Sequence, residues 1–531
     1  MRRDVAAPDR PGPPAAALVV GLCLGLVALG PALRRGFLLS YDMVFVPRES
    51  FATALPGLAP PRNMPSDLVV AAASRVLPAD IVQKVVLLAI FVLACSGAAA
   101  LLDRAPVLAS LSAGVFYTWN PYVGERLIIG QWALLLGYAG LPWVLRAMLS
   151  PNLASARGTG RLILALLPAV IGGYTAMTIT ALVIVPVALL TRSPARAAVA
   201  LITFAVGCLP WFIPSLLHAV YTDPAGAVVF AARADTPFGS LGSVTMLGGM
   251  WNAQTVPRGY GSAWSALWLI IVLIALAGYI MFGARERKWP GLGVAAVLGL
   301  AIACIGLTAT GRDALRSVIS AWPATGVLRE AQQFVAPLAL AEACGFGLVV
   351  AWALNPSTFV EKGFDFAGGV LGVVALVVPV VLLPGLAWGA GGHLRPTWYP
   401  ASWLAAARAI DDSPKGGDVL LLPWGTYRRP PWNHGQPLLD PWPRLLSQPV
   451  IWNDGTQVGD VALTPDDPRA RALNGPIQGG GPLTGVLRTA GVRFVVDDAD
   501  TGQSLTAVSR RLPGAVMMIS QPGLTIYWLP G

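Results

Sequence analysis

Apolar stretches recur along the first three quarters of the chain, near 16–34, 81–102, 105–118, 131–149, 197–218, 263–283, 290–309, 331–354 and 367–388. Most approach the roughly 20 residues that carry a helix across the hydrocarbon core of a bilayer. Residues 161–191 form a longer apolar run broken by Gly172-Gly173. That run is too long for one untilted helix and short for two, so it reads as a hairpin of two short helices. The pattern predicts about eleven spans. From 389 onward it changes character. Asp418–Trp424, Val492–Asp498 and Leu524–Leu529 read as strands, Trp403–Ile410 and Pro482–Ala490 as helices, and 425–480 as largely loop. The expected fold is an all-α polytopic membrane domain over 1–388, followed by a small extracytoplasmic α/β domain over 389–531.

Composition sharpens this reading. Of 531 residues, 55% are apolar and 12% charged, against about 25% charged in soluble proteins. So few charges cannot cover the surface of a soluble enzyme of this size. The 58 Gly and 46 Pro follow no short period, which excludes collagen-like and low-complexity chains. Residues 388–531 are nearly balanced, with 12 basic and 11 acidic side chains, so the net charge of +10 sits mostly on the membrane part. No basic run interleaved with aromatics occurs, and nucleic acid is not an expected partner. The five cysteines lie singly in apolar stretches, as packing residues rather than disulfides or zinc ligands.

Orientation follows from the density of basic residues. One set of loops carries 13 in about 55 positions and the other 12 in about 125, which favours a cytoplasmic N-terminus and an extracytoplasmic C-terminus. Met1-Arg2-Arg3, then Pro11–Pro14 and an apolar helix without a small-residue cleavage site, read as a retained anchor.

In so charge-poor a chain the ionisable residues at the membrane face are the informative ones. Ser40-Tyr41-Asp42 follows the first span directly, near Arg48 and Glu49. A carboxylate at the end of a rigid element suits a general base; a turn residue bonding local amides is the other reading. Ser66 or Asp67 and Asp80 precede helical stretches and read as N-caps. Leu68–Leu77 is short, apolar and bounded by prolines, as expected of an interfacial segment. Glu125 and Arg126 follow Trp119-Asn120-Pro121-Tyr122, and Arg126 is suited either to a phosphate or to a structural ion pair. Arg329 and Glu330, preceded by Arg312, Asp313 and Arg316, stand at the mouth of a late span. There Arg329 could serve a phosphate at a helix N-terminus or snorkel to lipid head groups. Glu342, deeper on that span, should be paired or face a cavity. In the tail, Trp432, His434 and Trp452 sit in polar-flanked loops that could contact a sugar, or pack in the core.

The Ser40-Tyr41-Asp42 loop, the segment before the second span, the NPYVGERLIIGQWALLLGYAGLPW run at 120–143 and LREAQQF at 328–334 resemble the GT-C superfamily of polytopic glycosyltransferases. The closer resemblance is to actinobacterial cell-envelope members with a soluble α/β domain after the last span. It implies transfer of a sugar from a polyprenyl-phosphate donor to an envelope glycan or glycolipid acceptor. It also implies a catalytic carboxylate in the first external loop, matching Asp42. A mechanism consistent with the residues themselves has Arg329 and Arg126 hold the donor phosphate, with Tyr41, Glu125 and Glu330 in support. Many members use a second acidic residue and a divalent metal. Asp-x-Asp is absent from this loop, which leaves the metal open. Two other readings compete: a flippase for a lipid-linked sugar, and a non-catalytic scaffold of envelope assembly.

Overall fold

The apolar stretches fold as helices with nearly the expected bounds. A computed structural model of the chain describes residues 15–54, 63–217, 221–354, 365–498 and 508–530; the lead Met1–Pro14, expected as part of an anchor, lies outside them. The main helices are Ala15–Leu29, Ala79–Ala100, Val107–Thr118, Trp132–Met148, Ala156–Leu190, Pro194–Leu217, Trp264–Gly278, Leu292–Ile305, Ala336–Ala353 and Asp365–Leu382. Among the described residues, six helices are individually long and apolar enough to cross a membrane, or eight counting each of two bent pairs as one crossing. The chain is a multi-pass membrane protein. Ala336–Ala353 is the central helix, buried over nearly its whole length. Small residues bring the helices close: a Cβ on Gly345 would collide with the Ala275 carbonyl, and one on Gly114 would sit 2.7 Å from the Cys95 carbonyl.

Ala156–Leu190 doubles back on itself. Gly173 leaves helical geometry (φ 76, ψ −151), and its α-carbon lies against the Met64 carbonyl. The Arg196 guanidinium, just beyond the second half, donates to the Met148 carbonyl at 3.2 Å, just before the first. A straight helix of 35 residues would hold its ends about 50 Å apart at 1.5 Å per residue. The run is therefore a hairpin with Gly173 at its apex.

One end of the bundle gathers the long loops and the tail. Tyr174 at the hairpin apex donates its hydroxyl to the Ala324 carbonyl, and Phe37–Leu38 pairs antiparallel with Pro396–Thr397. At the opposite end are the short connections, where Arg146 lies 3.7 Å from Asp103.

The tail contains a five-stranded sheet in the order Val516–Gln521, Leu524–Trp528, Val492–Asp498, Asp418–Leu422, Val450–Ile451. The first two pairings are antiparallel and the last two parallel. Alternation along the strands sends side chains to two cores. Val419, Leu421, Phe494 and Val496 join the core that runs into the membrane helices. Leu420, Leu422, Val492 and Val495 face a second core with Leu473, Ile477 and Leu487. Helix Ala401–Asp411 buries Trp403, Ala406, Ala407 and Ile410 on the first side. Sheet and bundle are thus packed as one body. Within 425–480, expected as loop, an eleven-residue helix Pro468–Gln478 forms, capped by the Asp467 side chain on the Arg469 amide. Its internal Pro476 disguised it in the sequence.

Candidate functional site

Asp42 is placed by contacts reaching it from four directions. The strand before it is held by one face of helix Ala79–Ala100. Gln83 accepts from the Leu38 amide at 2.9 Å and donates to its carbonyl at 2.7 Å. Lys84 donates to the Gly36 carbonyl, while Asp80 accepts from the Gly36 amide and from Arg35. Positions 80, 83 and 84 share a face because i+3 and i+4 neighbours do. Asp80 is therefore not an N-cap: its carboxylate is taken by Arg35.

The turn itself sits on the end of helix Pro121–Ile129. Ser40 donates its hydroxyl to the Ile128 carbonyl at 2.7 Å, and the Asp42 amide donates to the Ile129 carbonyl at 3.0 Å. Gly130 follows in the left-handed region (φ 87), and a Cβ there would run into the Met43 amide. Only glycine meets both demands. Tyr41 also has positive φ (44°), a conformation unfavourable for an aromatic residue. The tail holds it there: the Tyr41 amide donates to the Pro437 carbonyl and its carbonyl accepts from the Leu439 amide, both at 2.7 Å.

The side chain of Asp42 is partly buried, and the Tyr427 hydroxyl donates to its Oδ1 at 2.6 Å. Burial pushes the Asp42 carboxyl up to about 6; the Tyr427 hydrogen bond pulls it down, the Glu330 charge raises it, and Arg444 and Arg329 lower it. Tyr427 is held well above the ordinary phenol range, first by burial and then by the Asp42 charge, so it stays a donor. Glu330 is brought in by a break in helical geometry at its own position (φ −104, ψ 57) within the tight stretch Pro323–Val335. Its carboxylate accepts from the Gln131 side-chain Nε2 at 2.9 Å. Tyr41, Asp42, Tyr427, Gln131, Glu330 and Arg329 form one polar neighbourhood at the tail-bearing end.

Other expected residues go elsewhere. Arg126 is only 1% exposed; its guanidinium lies 3.7 Å above the Tyr122 ring and 3.8 Å from Glu125. It opens onto no surface, so a phosphate has no route to it. Glu125 is equally buried and meets Asp235 at Gly248, where a Cβ would lie 3.0 and 3.1 Å from the two carboxylates. Arg329 touches the Phe230 ring face at 5.2 Å and lines a narrow cleft with Asp223, Asp454 and Asp466. Three carboxylates around one guanidinium do not suit a phosphate. Arg329 also lies seven positions before the α-helix that begins at Ala336, too far to add to its dipole. Arg312 caps the carbonyls of Gly306 and Leu307, and Arg316 pairs with Asp313. Neither joins Arg329. Glu342 is fully buried, and its oxygens find no hydrogen-bond partner among the described residues.

Trp432 packs against Tyr399 and Trp403 at 5.3 and 5.2 Å, inside an aromatic cluster that continues to Trp442. Trp452 is half-buried against the same core. His434 is exposed at a left-handed turn (φ 55). Asp67 is not an N-cap either: Arg444 of the tail donates to it at 3.1 Å and lies 3.7 Å from Glu49. Among the described residues no three carboxylate, imidazole or thiolate side chains are grouped so that they could hold a metal ion. Asp42 and Glu330 alone do not make an all-protein cage for a divalent ion, and no step is assigned to one. The sequence reading missed Tyr427 and Arg444, which act across 385 and 377 positions. Only the Arg-flanked tyrosine of GTYRRPPW hinted at the first.

No protein-family model matches the chain, and no curated protein matches it. Solved structures do. Two structures of arabinofuranosyltransferase AftD from Mycobacteria superpose with TM-scores of 0.59 and 0.57, at 17% and 16% identity, over 97% of this chain. They share the fold. This chain spans about 41% and 40% of the length of those two chains. ArnT from Cupriavidus metallidurans aligns over 96% of this chain and 97% of its own, at 14% identity and a TM-score of 0.42.

Proposed function

We propose that this multi-pass membrane chain, which has the GT-C fold, is a glycosyltransferase. The donor is a sugar on a polyprenyl phosphate, and the acceptor is a hydroxyl of an envelope glycan or glycolipid at the outer face. The observation that carries this reading is Asp42, locked on a rigid turn with an ionisation near 6 and an oxygen held by Tyr427. Such a carboxylate is ionised at neutral pH and basic enough to take a proton in a transition state. In the reaction Asp42 accepts the acceptor's hydroxyl proton. The freed oxygen forms a bond to the anomeric carbon while the bond from that carbon to the phosphate oxygen breaks, and the lipid phosphate leaves with the electron pair. Configuration inverts. Tyr427 orients the carboxylate, Glu330 keeps its affinity for a proton up, and Arg329 supplies positive potential nearby.

The supporting topology has eleven crossings. To the eight countable by length and hydropathy are added Val107–Thr118, Trp132–Met148 and the second half of the hairpin. The N-terminus is then cytoplasmic and the domain at 389–531 extracytoplasmic, where donor and acceptor meet at the lipid surface. Reconstituted protein given radiolabelled polyprenyl-phosphate sugar and an envelope-glycan acceptor should yield labelled glycan. Movement of the lipid between leaflets without transfer would replace this reading by a flippase.

A further inference from the structure

A second polar cleft lies beside Tyr41. It encloses about 130 Å³ and is assembled from four separate stretches of chain. Arg258 and Gln254 come from the loop before Trp264–Gly278, His393 and Arg395 from the exit of the last span, and Arg429 from the tail. All three arginines are exposed. No carboxylate among the described residues lies within ion-pair distance of any of them. Gln254 fixes the geometry, since its Oε1 accepts from the Tyr41 hydroxyl at 2.7 Å and from Arg429 at 3.2 Å. Arg395 donates to the Gly392 carbonyl at 3.1 Å. His393 is held below its ordinary value, first by burial and then by Arg258 and Arg395, as expected where positive charge gathers without a counter-ion.

Two further observations set the depth and the purpose of this cleft. Trp264, Trp322, Trp388 and Trp398, all at the tail-bearing end, are 54–67% exposed. A ring of exposed tryptophans marks the level of lipid head groups. Arg258 precedes one of them by six positions and Arg395 lies between two others, which puts these two arginines near that level. The backbone that delivers His393 and Arg395 is a left-handed turn: Trp388 and Ala390 have φ of 54 and 49, among glycines 389, 391 and 392. L-residues adopt this conformation at a cost, and such strain collects at functional sites.

We infer that the cleft formed by Arg258, Arg395 and Arg429 binds the phosphate of a lipid held at the membrane surface. Planar guanidiniums match phosphate oxygens with paired hydrogen bonds. The chemistry is common to two sources, an anionic bilayer phospholipid and a polyprenyl phosphate; only the second rests on the function proposed above. The test uses purified full-length protein and native mass spectrometry, with phosphatidylglycerol against diacylglycerol and polyprenyl phosphate against polyprenol. The wild type should retain at least one phosphate-bearing lipid over its phosphate-free counterpart. Arg258→Gln/Arg395→Gln/Arg429→Gln should weaken that retention by about tenfold or more, since bonds to charged groups are the strong ones. Loss confined to polyprenyl phosphate, with transfer reduced, identifies the donor. Loss of phosphatidylglycerol retention identifies a bilayer lipid. Arg395→Gln alone, at an exposed side chain, gives a smaller loss in the same direction if the triple variant does not fold. Equal retention of phosphate-bearing and phosphate-free lipids by the wild type overturns the inference, as does unchanged retention in a folded triple variant. Binding is read without turnover, so a protein that transfers no sugar can still pass, and Asp42→Asn should bind like the wild type.

Discussion

Replacing Tyr427 with Phe removes one oxygen atom and, with it, the 2.6 Å hydrogen bond to Asp42 Oδ1. That bond favours the ionised carboxylate, so its loss raises the Asp42 value above about 6. A hydrogen bond to a charged group contributes about 1.5–3 kcal/mol. The carboxylate is only partly buried, so water replaces part of what is lost and the lower figure applies. At 1.36 kcal/mol per unit, the rise is about one unit. The ionised fraction at pH 7 then falls from about nine-tenths to about one-half. The assay is the pH profile of kcat/KM for reconstituted wild type and Tyr427→Phe between pH 5 and 9. The acid limb should move up by about one unit, with a deficit of about twofold at pH 7 that closes by pH 8.5. An acid limb that stays in place or moves down would refute the reasoning, as would a uniform loss at every pH, which would make Tyr427 a packing residue only.

The carboxyl of Glu49 is pushed up to about 9, by burial first and then by Asp67. A raised folded-state value contributes stability that is complete below the unfolded value and is lost as pH rises through the folded one. The melting temperature of the wild type should therefore fall from pH 5 to pH 9; in Glu49→Gln, which mimics the neutral form, the fall should be smaller, and an identical slope would contradict the assignment. Gly130→Ala forces a Cβ against the Met43 amide at positive φ and should cost about 2 kcal/mol or more, seen as a lowered melting temperature with transfer activity lost. Arg444→Met removes the cation between Asp67 and Glu49. Protease cleavage in the first long loop should accelerate at neutral pH, and an unchanged cleavage rate would show that the Arg444 contact does not hold that loop.

The spans were legible because hydrophobic continuity over a bilayer's thickness is a local property of sequence. Even the hairpin at Gly173 could be read, since a run of that length fits the bilayer only by folding back. Three strands were read from their short apolar runs, whereas the edge strand Val516–Gln521, in which no residue is buried, was missed although Val516–Ile519 is itself a short apolar run. The surroundings of Asp42 were mostly hidden. Its place after the first span could be seen, but Tyr427 reaches it only because the tail folds back onto the first loop. Arg126 misled for a related reason. An arginine beside a span looks available for a ligand, but here the Tyr122 ring and a neighbouring glutamate cover it. Asp67 and Asp80 stand where caps belong, yet arginines distant in sequence claim both. Local patterns reported the helices; the partners of charged residues are decided by tertiary packing.

The central claim is that the Asp42 carboxylate takes the acceptor's proton. Turnover of Asp42→Asn in proteoliposomes, with labelled polyprenyl-phosphate sugar and acceptor, tests it directly, because the amide keeps the shape of the side chain and cannot serve as the base. The account predicts a fall of about 10²–10⁴-fold, with membrane insertion and melting temperature like those of the wild type. Near-normal turnover by a correctly inserted Asp42→Asn would contradict it.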